Sequence, residues 1–157
     1  MEEITKSAVR ALVEAGDEQA LLALFDEDPS RVRRYLTRLT RAADDPCHAR
    51  AVGSFQTLSQ ERSERMPEFF LEIVRRCLWE MNEEGGNVAW SAPEVAGAVI
   101  AGSPARYGRF FTYLFYAAVD EPSFQPSLLA AFERVSAADP SLTQGFEGQV
   151  RALREAL

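Results

Sequence analysis

Apolar side chains recur at helical spacing along most of the 157-residue chain. In the segment 29–43, Val32, Leu36, Leu39 and Ala43 are separated by three or four positions, which places them on one face of a helix. No segment shows the alternation with β-branched residues that is typical of strands. Alanine, leucine, glutamate and arginine, which favour helices, are abundant. The pattern therefore predicts an all-α protein.

Proline and acidic residues indicate where the helices begin. Proline follows an acid or a serine in five short segments: DPS (28–30), DPC (45–47), SP (103–104), EPS (121–123) and DPS (139–141). The acid or serine can cap a helix, and proline in the first turn loses no hydrogen bond. Eight to nine helices are predicted, at 3–15, 17–26, 29–43, 46–60, 67–82, 92–101, 104–119, 124–137 and 141–156.

Short connections between these helices favour antiparallel neighbours. Three segments also resemble one another: ARAVGSF, PEVAGAVI and PSLLAAF, which begin at residues 49, 93 and 126. Their separation is typical of repeats with two helices per unit. Gly53, Gly97 and Ala130 are small enough to let stacked helices approach closely. We therefore expect one domain over 1–157, a HEAT-like superhelix of stacked antiparallel helix pairs, with a plain helical bundle as the alternative.

Charge and composition narrow the possible functions. Asp and Glu number 24 against 17 Lys and Arg, a formal charge of −7 that argues against generic binding of nucleic acid or anionic lipid. No apolar run approaches the roughly 20 residues of a membrane helix, and the N-terminus has no hydrophobic signal core. We expect a cytoplasmic protein in which Cys47 and Cys77 are free thiols.

Both tryptophans lie in the segment CLWEMNEEGGNVAWSAPE, residues 77–94. One interpretation is purely structural. The adjacent glycines end one helix, and Asn82 bonds to nearby backbone. Ser91 and Glu94 then form a capping box at the start of the next helix.

The functional interpretation of the same segment is a contact site for another protein. The segment is longer than a plain helix–helix link needs, and longer loops between rigid helices often carry binding residues. Trp90, Glu83 and Glu84 are expected to bind an arginine or lysine of a partner through stacking and charge. Trp79 and Asn82 are expected to brace the loop from beneath.

The motif W-x-x-N-E-E-G-G-x-x-x-W-x-x-P-E resembles the signature of small bacterial HEAT-like repeat proteins of uncharacterised function. The residues that carry it are Trp79, Asn82, Glu83, Glu84, Gly85, Gly86, Trp90, Pro93 and Glu94. Glu83, Gly85, Asn87 and Ala89 depart from the aspartate, serine and glycines that are common at these positions. The resemblance runs from about residue 17 to 137. It implies stacked helical repeats of the HEAT or phycobilin-lyase-like type, and no known activity.

A stripe of arginines is the second candidate site. Arg31, Arg34, Arg38 and Arg41 are spaced by three, four and three positions, with Arg33 alongside, opposite the apolar face of the same helix. They can be a solvated face paired with neighbouring acids. They can also form a docking surface for an acidic partner, for phosphates or for nucleic acid.

The segment RYGRFFTYLFYAA (106–118) contains six aromatic residues that point in nearly every direction on a helix. Such a helix is usually buried on several sides, so we expect the central helix of the core. The alternative is the wall of an aromatic pocket in which tyrosine hydroxyls contact a small-molecule cofactor, with a lyase-like or chaperone role.

Catalytic and metal-binding patterns are weak. A metal site needs three or four converging ligands, whereas Cys47 and His48 diverge on a helix and Cys77 is distant in sequence. His48 is the single histidine, and there is no nucleophile elbow, phosphate loop or dinucleotide fingerprint. We therefore expect a non-enzymatic protein-binding or scaffold module without metal or cofactor.

Overall fold

A computed structural model describes residues 3–82 and 89–157, and these residues form helices and turns without a strand. The all-α prediction is confirmed. The helices are α1 (Lys6–Ala15), α2 (Glu18–Glu27), α3 (Pro29–Arg41), α4 (His48–Arg62), α5 (Pro67–Asn82), α6 (Ala92–Gly102), α7 (Pro104–Tyr107), α8 (Phe111–Ala118), α9 (Gln125–Ala138) and α10 (Glu147–Ala156). Short 3₁₀ turns occur at Gly108–Phe110, Pro122–Phe124 and Pro140–Leu142. None of these described helices combines the length and apolarity that crossing a membrane requires.

Acidic side chains cap several of these elements, as the sequence predicts. Asp17 accepts the backbone N–H of Ala20 at the start of α2, and Asp28 accepts that of Arg31 at the start of α3, both at 3.1 Å. Each bond satisfies a backbone donor that has no partner within the helix. Ser103, which was expected to act in the same way, makes no such bond at the start of α7.

The centre of the molecule is α6. Its buried residues are Ala92, Pro93, Val95, Ala96, Gly97, Ala98, Val99, Ile100 and Ala101. Helices α4, α5, α8 and α9 pack around it. The prediction that the aromatic segment supplies the central helix was therefore wrong, because small apolar residues allow α6 to be enclosed on all sides.

The three similar segments lie in α4, α6 and α9, and α6 packs between the other two, consistent with a helical repeat. Gly97 contacts Ala131, and a Cβ built on Gly97 would lie 2.6 Å from the Ala131 Cβ. The expected role of Gly97 is confirmed. Gly53 was predicted wrongly, since a Cβ built on Gly53 would lie 3.9 Å from the nearest described atoms outside its own helix, which belong to the Arg134 guanidinium. The close contact on α9 involves Ala131 rather than Ala130.

The aromatic segment is not the single helix 104–119 that was predicted. It consists of α7, a 3₁₀ turn from Gly108 and α8. The break is held by distant contacts: the Tyr107 hydroxyl donates to the Pro67 carbonyl at 2.8 Å, and Gly108 packs against Leu142. Phe111 and Phe115 are buried, whereas Tyr113 and Tyr116 are exposed.

Two helix ends also differ from the prediction. Helix α3 ends at Arg41, so Ala43 is exposed and does not belong to its apolar face. Helix α10 begins at Glu147 rather than at 141. Gly145 explains the delay, because its φ of 92° lies in the left-handed region and interrupts a right-handed helix.

Candidate functional site: an arginine-lined groove

A groove of about 440 Å³ lies between α3 and α5, with the start of α6 at its base. Five arginines line it: Arg33, Arg34, Arg38, Arg41 and Arg76. This volume is within the range of about 300–1,000 Å³ that ligand pockets occupy. We call this feature the arginine groove.

The position of the arginines follows from the burial of α3. Val32, Leu36 and Leu39 are buried on the opposite side of the helix, so the intervening positions face outward. Arg31 is the exception in the predicted stripe. Its guanidinium binds the Glu3 carboxylate at 2.9 Å, and it does not line the groove.

Two of the groove arginines stack on one aromatic ring. The guanidinium carbons of Arg34 and Arg38 lie 5.5 and 5.8 Å from the centre of the Tyr35 ring. A guanidinium near an aromatic face is attracted by the ring quadrupole, and this contact restricts the side chain while leaving its N–H donors available. Both arginines are exposed.

Glu80 supplies the one acidic side chain among the described residues of the groove. Its Oε1 lies 3.3 Å from Arg41 and 3.8 Å from Arg76, so two guanidinium groups share a single carboxylate. Within residues 3–82 and 89–157, Arg33, Arg34 and Arg38 have no carboxylate oxygen within 4.0 Å. The groove therefore carries a local excess of positive charge.

Arg33 is the most unusual of these side chains. It is half-buried, and its guanidinium lies 5.8 Å from the centre of the Phe69 ring. Burial, and then the positive charge of Arg76, lower the pKa of Arg33. Both causes disfavour the charged form that arginine retains at neutral pH, so an anion nearby would be stabilising.

The base of the groove is apolar. Ile73, Cys77, Ala92 and Val95 are buried and line it. Burial raises the pKa of the Cys77 thiol to about 12, so this residue is present as a thiol at neutral pH and not as a reactive thiolate. The arrangement offers cationic walls above an apolar base, which suits binding rather than nucleophilic chemistry.

The two sites that the sequence suggested as alternatives are neighbours in space. Ala89 and Ser91, from the end of the 77–94 segment, line the arginine groove together with Cys77 from its beginning. Glu83 and Glu84, which were predicted to anchor a partner there, lie outside the described residues. So do the glycines that were predicted to end α5.

The tryptophans lie beside this region with exposed rings. Trp90 is 50% exposed and packs on Phe124, with ring centres 5.2 Å apart. Trp79 is 60% exposed, and its expected role of bracing the loop stays a prediction because residues 83–88 of that loop lie outside the described residues. Asn82 bonds to nearby backbone as predicted, because its Nδ2 donates to the Leu78 carbonyl at 2.7 Å.

The predicted capping box at the start of α6 is not formed. Ser91 makes no side-chain capping bond. The backbone N–H of Glu94 donates instead to Ser127 Oγ at 3.0 Å, and the Glu94 carboxylate lies 3.2 Å from Nε2 of His48. These partners on α9 and α4 satisfy the groups that the local motif would have used, and they connect the start of α6 to both neighbours.

A second groove, between α5 and α8, is aromatic and open. Leu78, Asn82, Phe110, Tyr113 and Tyr116 are among the residues that line its volume of about 710 Å³. It corresponds to the aromatic pocket wall considered from the sequence. Tyrosine rings line one side of it, and no charged side chain is present in the described lining.

Sequence reasoning missed Arg76 and Glu80. Both lie on α5, four positions apart, and the pair was visible as a helical i, i+4 arrangement. Nothing in that local pattern indicates that α5 lies opposite α3 across a groove. The half-burial of Arg33 was missed for the same reason.

Comparison with known proteins gives no matching family model, no matching curated protein and no matching solved structure. The resemblance to HEAT-like proteins therefore stays a prediction. No group of three or more His, Cys, Asp or Glu side chains that could hold a metal ion occurs within residues 3–82 and 89–157.

Proposed function

We propose that this protein is a non-enzymatic binding module that holds an acidic segment of another protein in the arginine groove. The observation that carries the proposal is the meeting of five arginines from two helices around one groove with a single carboxylate among its described residues. Complementary charge at such a surface steers association and selects the partner.

The positive charge of the groove does not arise because the chain has few acidic residues. The chain has 24 acidic residues and 17 basic ones. Other arginines use this surplus: Arg10 makes two hydrogen bonds to Asp45 at 2.9 Å, and Arg62 makes two to Asp26 at 2.7 and 2.9 Å. Of the groove arginines, only Arg41 and Arg76 pair with a described carboxylate, and they share Glu80. Such an arrangement keeps guanidinium donors for an external anion.

A protein segment fits this surface better than nucleic acid does. A long polyanion extends beyond the groove, where the remainder of a chain of net charge −7 repels it. A short acidic segment keeps its charge within the groove. Its apolar side chains can also contact the small exposed parts of Ile73, Cys77 and Val95 at the base.

Fluorescence anisotropy with a labelled peptide of mixed aspartate, glutamate and leucine residues tests the proposal. Replacement of both Arg34 and Arg38 by alanine is expected to weaken binding by about tenfold or more, because hydrogen bonds to charged groups contribute roughly 1.5–3 kcal/mol each. The matched control is Arg75→Ala, an exposed arginine on α5 that does not line the groove. Wild-type binding should also weaken as salt is added.

Two results would contradict the proposal. One is the absence of saturable peptide binding. The other is equal loss in the Arg75 control and in the groove variant. Tighter binding of a DNA or RNA oligonucleotide than of the peptide, lost in the same variant, would instead favour the nucleic-acid alternative.

Trp90 belongs to the same proposal as a contact on the rim, next to the groove residue Ser91. Its ring is half exposed, so Trp90→Ala should weaken peptide binding while changing the melting temperature little. A large fall in melting temperature would assign the indole to packing against Phe124 instead.

The aromatic groove supports a second candidate function, the handling of a small-molecule cofactor. The specific observation is that Tyr113 and Tyr116 are 67% and 58% exposed on one side of this groove. Absorbance and mass spectra of the purified protein test it. A bound chromophore that is lost on replacement of both tyrosines by alanine would favour this function.

A further inference from the structure

We infer that the segment held in the arginine groove carries a phosphoryl group, bound by the guanidinium groups around Arg33 and Arg76. This inference rests on the proposed function and names the chemistry of its partner. It is carried by the amount of charge in the groove, by the environment of Arg33 and by the geometry of the guanidinium groups.

The amount of charge favours a dianion. Among the described residues of the groove, five arginines against Glu80 leave a formal excess of four positive charges. A carboxylate offsets one of them. A phosphomonoester carries about −1.5 to −2 at neutral pH and has three strong acceptor oxygens, so one group can bind several guanidiniums at once.

The environment of Arg33 locates the phosphoryl group within the groove. Its guanidinium is half-buried and repelled by the charge of Arg76. Within the described part of the chain, the carboxylate oxygen nearest to Arg76 is Glu80 Oε1 at 3.8 Å, beyond hydrogen-bond distance. An anion that contacts both Arg33 and Arg76 offsets their mutual repulsion and the cost of burying Arg33. Exposed arginines elsewhere on the surface do not need such an anion.

The residue type adds geometry to charge. The cations among the described lining residues are arginines, as are 16 of the 17 basic residues of the chain, and the planar guanidinium fork binds two phosphate oxygens in parallel, whereas lysine acts as a point charge. Arg41 binds Glu80 through one terminal nitrogen at 3.3 Å, which leaves its other donors for a second anion. The walls are therefore suited to an anion with several oxygens.

The base of the groove favours a phosphorylated side chain over free phosphate. Inorganic phosphate fills only part of a groove of about 440 Å³ whose base is formed by the buried residues Ile73, Cys77, Ala92 and Val95. The carbon atoms and flanking residues of a phosphopeptide can fill the remainder and contact this base. The groove therefore suits a phosphoryl group that is attached to a peptide better than it suits free phosphate.

Three versions of one labelled acidic peptide test the inference, with serine, phosphoserine or glutamate at the central position. Anisotropy titrations at constant ionic strength are expected to give about tenfold tighter binding of the phosphoserine form than of the glutamate form. Inorganic phosphate is titrated as a competitor in parallel.

Variants separate charge from geometry. Arg33→Lys keeps the charge and removes the fork, so the preference for phosphoserine over glutamate should fall while glutamate-peptide affinity changes little. Arg76→Lys provides the same test if Arg33→Lys lowers the melting temperature. Arg75→Ala is the control that should retain the full preference.

The outcomes distinguish the two proposals. Equal affinity for the phosphoserine and glutamate forms overturns the inference and leaves the proposed function standing. Failure of all three peptides to bind overturns the proposed function itself. Competition by inorganic phosphate at concentrations equal to those of the phosphopeptide overturns the assignment to a peptide. An unchanged preference in both lysine variants overturns the roles of Arg33 and Arg76.

Discussion

Replacement of Gly97 by alanine tests the packing of the central helix α6 on α9. The new Cβ would lie 2.6 Å from the Cβ and 2.9 Å from the Cα of Ala131. Carbon atoms in favourable contact are about 3.5–4.0 Å apart. Ala131 has no flexible end that can move aside, so the helices must separate. Overpacking of this kind typically costs about 1–3 kcal/mol.

Gly53→Ala is the matched control because it makes the same chemical change inside α4. Its Cβ would contact the Arg134 guanidinium at 3.9 Å, which is ordinary van der Waals distance. Alanine in a helix interior is more stable than glycine by roughly 0.5–1 kcal/mol, so Gly53→Ala should stabilise the fold. The same gain applies at Gly97. The difference between the two variants therefore isolates the overpacking, about 1–3 kcal/mol.

Urea unfolding followed by far-UV circular dichroism measures both free energies of unfolding. We expect a higher midpoint for Gly53→Ala than for Gly97→Ala, with unchanged slopes if the compactness of the two states is unaffected. Equal stabilisation by the two substitutions would refute the reasoning. It would mean that α6 and α9 do not approach closely at Gly97, and the stacking of α6 on α9 would lose this close contact.

Three further predictions concern the surroundings of His48, Asp45 and Cys77. Glu94→Ala should lower the free energy of unfolding by about 1–3 kcal/mol, because Nε2 of the largely buried His48 loses its partner; a change in the urea midpoint too small to resolve would contradict this. Arg10 holds the pKa of Asp45 at about 2, below its ordinary 3.8. The stabilisation from this pair is therefore present above the ordinary pKa and is lost as the pH falls through about 2; Asp45→Asn should flatten the melting temperature over that range, and an unchanged profile would contradict it. Burial raises the pKa of Cys77 to about 12, so alkylation at neutral pH, followed by mass spectrometry, should be slow in the folded protein and fast in urea; rapid labelling of folded protein would contradict it.

The helices could be predicted because their determinants are local. An apolar face needs residues within a few turns of one another, and Asp17 and Asp28 cap helices through bonds to residues three positions away. The break in the aromatic segment was not predictable in this way. It depends on contacts of Tyr107 with Pro67 and of Gly108 with Leu142, which are distant in sequence.

The capping box at Ser91 shows how a local rule fails. The sequence has the required serine and glutamate at the required spacing, yet Glu94 binds His48 and Ser127 instead. Helices that pack around a central helix place hydrogen-bonding side chains close to its first turn. Buried polar groups then form the set of hydrogen bonds that leaves the fewest of these groups without a partner. Local motifs predict best where no other element competes.

The candidate site was predictable only on one helix. The spacing of Arg34, Arg38 and Arg41 places them on a common face of α3, and the structure retains that face. Arg76 and Glu80 complete the groove from α5, and only the tertiary arrangement brings them opposite α3. The sequence thus predicted the arginines that lie on α3, because their spacing on one helix is a local pattern.

The net charge of the chain is a poor guide to such a site because it sums over the whole surface. At physiological ionic strength, exposed charges interact over about 8 Å, so a ligand in the groove senses mainly its five arginines and Glu80. The acidic residues outside the groove act on any part of a ligand that extends beyond it. We therefore expect such a surface to discriminate by the length of the polyanion, so that short acidic or phosphorylated segments bind and long nucleic acids are repelled. Affinity for phosphopeptide at physiological salt, together with weak binding to duplex DNA at the same salt, is the pattern that this reasoning requires.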